Sequence, residues 1–125
     1  MLANQEAVAT IGVRSTKKAK EFYEGVLGLK PEGPERPGVL TYKSGASRVF
    51  VYESEFAGTN KATSATWTFG TDFEGEVEAL KKKGVRFEHY DLPNLTRKGD
   101  LHVSGDMKAA WFKDPDGNIL ALVSG

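Results

Sequence analysis

Glu53 lies near the end of the β-forming run Arg48 to Ser54 and is the candidate carboxylate for general-base work, if burial raises its proton affinity. It has no visible partner acid, so an edge carboxylate in water is the competing reading. Trp111 and Phe112 are adjacent in a strand-like run, and alternation sends one of them inward. An inward indole would supply a flat stacking wall and one N–H donor for a planar or cationic ligand, and otherwise it is core. Tyr90, Asp91, Arg97 and His102 lie in or beside the polar stretch DLPNLTRKGDLHVSGD and could rim the mouth of a cavity. Thr10, Ser64, Thr66 and Thr68 offer a row of hydroxyls to a bound molecule.

Other chemistries lack their residues. The chain has no cysteine, which removes thiolate metal sites, disulfides and cysteine nucleophiles. No glycine-rich loop follows a strand and opens a helix, so a phosphate cradle is missing, and no local motif positions a Ser, His and acid triad. Asp114 to Asn118 reads as tight-turn chemistry, with Gly117 free to take positive φ, and carries no calcium claim. The 17 basic residues balance the 17 acidic ones, so no net field draws the chain to nucleic acid. Its 125 residues suit a single domain, and no apolar run reaches the roughly 18 residues of a membrane span. Without a secretory pattern at the start, and without cysteine, a cytoplasmic location is expected.

The elements that must position these residues come in a repeated order. Ala7 to Val13 predicts a strand, and Ser15 caps a helix whose apolar stripe is Ala19, Phe22, Tyr23, Val26 and Leu27. Gly28 stands where a left-handed C-terminal cap is wanted. Leu29 to Glu32, Val39 to Lys43 and Arg48 to Ser54 follow as strands, the last two joined by a hairpin through SGAS. The second half begins with a strand at Ser64 to Phe69. A helix opens at Thr71, with Glu74 at capping-box spacing, buries Phe73, Val77 and Leu80, and stops at Gly84. Strands are expected at Val85 to Tyr90, Ala109 to Phe112 and Ile119 to Val123.

Ser15 to Thr71 and Gly28 to Gly84 are both 56 residues, whereas Lys43 to Lys113 and Val49 to Ile119 are both 70. The halves therefore align with an insertion of 14 residues between Tyr90 and Met107, read as an edge flap. Alternation turns Ala9, Ile11, Val13, Ala65, Trp67 and Phe69 toward the helices. It turns Val8, Thr10, Gly12, Ser64, Thr66 and Thr68 toward a cavity, joined by Val51, Glu53, Ile119, Ala121 and Val123.

TIGV, KKAKEFYEGVLGL with its Phe22–Tyr23 pair, and the late AAWFKDPDGNILAL together resemble the vicinal oxygen chelate superfamily of glyoxalases, bleomycin-resistance proteins and extradiol dioxygenases. The resemblance covers nearly the whole chain. It implies an α+β fold in which two βαβββ modules, about 5–55 and 62–125 of one domain spanning 1–125, form an open barrel-like sheet with helices on its outer face. It also implies a homodimer and, in the family's enzymes, a divalent metal held by residues of the first and last strand of each module. Those places fall here on Val8, Val51, Ser64 (or Ala65 if the helix entry slips by one) and Ala121, none of which chelates firmly. His89 and His102 lie away from them.

The expectation is a protein without metal or other cofactor that binds a small organic molecule such as a metabolite, natural product or antibiotic. Thr10, Glu53, Ser64, Thr66, Tyr90, His102 and Trp111 are its candidate contacts. The alternative is a glyoxalase-like lyase, isomerase or dioxygenase with an atypical metal site or a metal-free acid and base pair. No nucleic-acid or membrane partner is expected.

Overall fold

A computed structural model describes all residues from Met1 to Gly125. Strand β1 (Ala9–Val13) leads into helix α1 (Thr16–Lys20), which continues without a break as a π-helical segment, Glu21–Val26. Strands β2 (Lys30–Pro31), β3 (Val39–Ser44) and β4 (Ser47–Glu53) complete the first module. The second comprises β5 (Thr63–Phe69), helix α2 (Phe73–Lys82), β6 (Phe87–Glu88), β7 (Thr96–Lys98), β8 (Leu101–Ser104), β9 (Met107–Lys113) and β10 (Ile119–Ser124).

The strands build two curved sheets, ordered β1-β4-β3-β2 and β5-β10-β9-β8-β7, with β6 pairing the far half of β9, and neither closes into a barrel. In each module the first and last strands run parallel, which the crossover helix makes possible. Ile11, Val13, Tyr42, Val49, Val51, Phe112, Leu120 and Leu122 pack beneath the helices with Tyr23, Phe73, Val77 and Leu80 as one core. Both α+β modules of the expected fold are therefore present.

The helix signals act as their chemistry demands. Ser15 Oγ accepts from Lys18 N–H, and Gly28 takes φ +74° while Leu29 N–H reaches back to the Tyr23 carbonyl. Gly84 does the same for α2 at φ +94°. The capping box does not form. Helix α2 starts at Phe73, its cap is Asp72 in the left-handed region at φ 61°, and Asp72 makes no side-chain cap bond. Gly75 permits this, because a Cβ there would collide with the Asp72 carboxylate.

The inserted segment is more than a loose flap. Its Thr96–Lys98 and Leu101–Ser104 halves fold about Gly99 into a hairpin, and β8 pairs with β9 to extend the second sheet. The preceding strand is correspondingly short, ending at Glu88 rather than Tyr90.

The Asp114–Asn118 turn also does more than reverse the chain. Asp114, buried, accepts from the Tyr23 hydroxyl at 2.7 Å, from Asn118 Nδ2 at 2.8 Å and from the backbone of Asp116 and Asn118 at 2.9 Å each. Asn118 Nδ2 donates on to the Gly12 carbonyl at 2.7 Å, and Asn118 Oδ1 accepts from Gly58 N–H at 3.3 Å. Burial and the adjacent Asp114 charge hold the Tyr23 phenol neutral far above the usual tyrosine range. One polar cluster thus ties the second module's turn to the first module's helix and first strand.

Candidate functional site on the open sheet face

Strand pairing fixes which side chains face away from the helices. Thr10 is opposite Phe50 and Gly12 opposite Tyr52, so Phe50 and Tyr52 share the open face of the first sheet. Val51 lies opposite Ile11 in the core, contrary to its expected place in the cavity. The cause is a turn one residue shorter than its counterpart. Tyr42 and Phe112 remain 70 residues apart, both in the core, but Val49 and Val51 match Leu120 and Leu122 at 71. The counterpart of Ala121 is therefore Phe50.

Glu53 is also displaced from the expected cavity. It lies opposite Val13 at the helix-facing end of β4 and accepts from Thr16 N–H at 3.2 Å and Thr16 Oγ1 at 3.1 Å. It anchors the first turn of α1, where a carboxylate is favoured by the helix dipole. Thr10 is exposed and spends its hydroxyl on the Val8 carbonyl. Ser64 is the extra residue of a bulge where the β5–β10 register skips, while Thr66 faces out opposite Ala121. Ala121 and Val123 share the open face as expected, and Ile119 lines a cavity on it.

The second sheet gathers three expected contacts. Phe112 faces the core and Trp111 the open face, which resolves the choice between them. Trp111 meets His102 edge to face with ring centres 4.8 Å apart and Tyr90 likewise at 5.5 Å. His102 is fully buried, not at a rim, because Tyr90 and Trp111 cover it on β8. Tyr90 N–H donates to His102 Nε2 at 2.9 Å, which requires Nε2 to be bare and puts the neutral ring's proton on Nδ1. Burial, then the Glu88 charge, raise the Tyr90 phenol above its ordinary value. Asp91 is exposed beyond Tyr90, and Arg97 donates to the Gly99 carbonyl within its own hairpin.

Beside the rings opens a cavity of about 310 Å³ lined by Lys61, Thr63, Tyr90, Leu92, Trp111 and Ile119. Thr63 escapes the sequence reading, yet its Oγ1 accepts from Trp111 Nε1 at 3.1 Å and fixes the indole. Only the register skip at Ser64 brings it there.

The donors at the family's metal places do not suit a divalent ion. Val8, Phe50 (in place of Val51), Ser64 and Ala121 provide one hydroxyl, and nowhere do three His, Asp or Glu side chains converge.

No curated protein matches this sequence. Among solved structures, the chain is similar to a glyoxalase/bleomycin resistance protein/dioxygenase from Alicyclobacillus acidocaldarius, at 19% identity, TM-score 0.72, and coverage of 97% of this chain and 91% of that one. It is similar to the fosfomycin resistance protein FosX of Mesorhizobium loti at 16% identity and TM-score 0.68, covering 100% and 94%. Lactoylglutathione lyase from Agrobacterium tumefaciens aligns at 12% identity and TM-score 0.72, covering 98% and 94%. These likenesses establish the fold. The family profile matches residues 7–122, and the chain belongs to the Glyoxalase/Bleomycin resistance protein/Dioxygenase superfamily.

Proposed function

We propose that this chain binds a small planar organic molecule on the open face of its second sheet, without a resident metal. The observation that carries the reading is the Trp111 wall, fixed by Thr63 and flanked by Tyr90 and Leu92, along a cavity of about 310 Å³. Few polar groups beside an apolar, aromatic surface is how small-molecule sites are built. The absence of a chelating donor set at the four family places supports metal independence. A lyase, isomerase or dioxygenase would need such a set, or Glu53 at the cavity, and Glu53 is engaged at the α1 N-terminus.

The reading extends to a homodimer, in which a second copy covers Val39, Phe50 and Tyr52, each exposed on the open face of the first sheet. No helix is long and apolar enough to cross a membrane. A cytoplasmic location remains part of the proposal.

Thermal unfolding of chelator-stripped protein with nickel, zinc, manganese or iron tests the central point. A ligand at 100 times its dissociation constant stabilises by about 2.7 kcal/mol, so an unmoved midpoint is expected for every metal and a clear rise with any of them would overturn metal independence. Trp111 fluorescence against a panel of aromatic metabolites then tests binding.

A further inference from the structure

Two buried polar side-chain atoms in this chain have no hydrogen-bond partner, and they are His102 Nδ1 and the Tyr90 hydroxyl. They belong to neighbouring rings with centres 6.0 Å apart, Tyr90 lining the proposed cavity and His102 buried behind Tyr90 and Trp111. Since His102 Nε2 accepts from the Tyr90 backbone, Nδ1 is a fixed N–H donor, and the phenol beside it can donate as well. An unmet buried donor costs about 1–3 kcal/mol, so two in adjacent side chains call for an acceptor that the chain itself does not provide.

Charge narrows the class of that acceptor. No acidic side chain lines the cavity, the nearby Glu88 is paired with Lys113 at 3.6 Å, and the cavity's single ionised group is Lys61, which is exposed and enters none of the ion pairs. Trp111 and Tyr90 set the requirement for a flat apolar body.

Resting on the small-molecule reading above, we infer that the ligand is a planar aromatic carboxylate, its ring against Trp111 and its carboxylate oxygens accepting from His102 Nδ1–H and the Tyr90 hydroxyl, with Lys61 at the mouth. The carboxylate reaches the donors from the cavity side of Tyr90 as residues 91–95 shift outward, Tyr90 keeping its backbone bond to His102. Most of that segment is exposed, and the one backbone hydrogen bond inside it runs from Leu95 N–H to the Leu92 carbonyl.

Calorimetric titration with 2-naphthoate and its neutral isostere 2-naphthamide tests this on the wild-type chain and on Tyr90→Phe. That substitution removes one hydroxyl and keeps the Tyr90 N–H to His102 bond. Saturable naphthoate binding at least tenfold tighter than naphthamide, reduced about tenfold in Tyr90→Phe while its unfolding midpoint holds or rises, is the expected result. Equal binding of the two probes, unaffected by Tyr90→Phe, would overturn the carboxylate assignment and leave the small-molecule reading standing, with water filling the place between the rings. Binding of neither probe to the wild-type chain, with Trp111 fluorescence unmoved by any aromatic compound, would overturn both.

Discussion

Replacing Tyr23 with Phe removes one hydroxyl from a side chain with no exposed surface and leaves Asp114 with three of its four hydrogen bonds. The lost bond is a 2.7 Å contact to a buried carboxylate. Hydrogen bonds to charged groups contribute about 1.5–3 kcal/mol, and with the unfolding entropy of a domain this long the midpoint should drop by roughly 6 to 11 °C. Because the bond joins the first module's helix to the second module's turn, the loss should appear as one cooperative transition at lower temperature.

The pH dependence gives an independent check. Tyr23 is raised in the folded state, so its contribution is fully present below the unfolded tyrosine value, about 10, and is lost as pH rises beyond it. At pH 11 the unfolded wild-type chain gains about 1.4 kcal/mol from ionising this phenol, a gain the Phe variant lacks. Tyr42, also raised by burial and by its bond to Glu24, is present in both chains and cancels. Denaturant titrations at pH 8 and pH 11 should show the gap between the two proteins narrowing by that amount. A variant as stable as wild type at pH 8, or a gap that does not change with pH, would refute the claim that the turn is tied to the helix through this bond.

Gly58→Ala should destabilise by about 2–4 kcal/mol, since Gly58 has φ +71° and a Cβ there would collide with the Asp116 carbonyl oxygen. Gly33→Ala, at φ +78° with open space around it, is the control and should cost about 1 kcal/mol in the same denaturant titration. Glu53→Gln should lower stability by about 1 kcal/mol through its weakened hold on Thr16 while ligand titrations stay unchanged, and a loss of binding would return Glu53 to the site. Asp100 is held below the ordinary carboxylate range by hydrogen bonds from His89 and Lys81. Its contribution should be complete above about pH 5 and fade as pH falls through the lowered folded value, so the midpoints of wild type and Asp100→Asn should converge on acidification below about pH 4.

Local signals made most of the fold legible. Ser15, Gly28 and Gly84 mark helix ends by chemistry that operates within one turn of chain, and the 56-residue offset survives because each first strand leads directly into its helix. What the sequence hid depends on counting across turns. Ser44 to Ser47 closes one hairpin while Asp114 to Asn118, one residue longer, closes the other, and that residue exchanges the faces of β4 relative to β10. Val51 and Glu53 left the expected cavity face for this reason, and Phe50 and Tyr52 took it. Partners far along the chain were equally invisible. Nothing near Asp114 names Tyr23, 91 residues away, and nothing near His102 shows that the Tyr90 backbone and the Trp111 ring will bury it.

The two open faces, alike in ancestry of pattern, divide their roles through side-chain size. On the first sheet Phe50 and Tyr52 stand up from β4 at 37% and 41% exposure, with Val39 beside Tyr52, which makes a raised apolar surface suited to covering by another molecule's surface. On the second, Ala109 and Ala121 hold the corresponding central positions and are almost wholly buried, because Trp111, Tyr90 and the β7–β8 hairpin rise around them. These small residues let the Trp111 ring settle low on the sheet beside the cavity lined by Tyr90, Trp111 and Ile119. A cavity with an unmet donor on its Tyr90 wall and a second on His102 behind it is where binding a small molecule returns the most free energy per atom. Exchanging these faces would require alanine at Phe50 and a bulky residue at Ala121. Ala121→Phe should accordingly abolish ligand titrations while Phe50→Ala leaves them intact, and the opposite pattern would place the binding cavity on the first sheet.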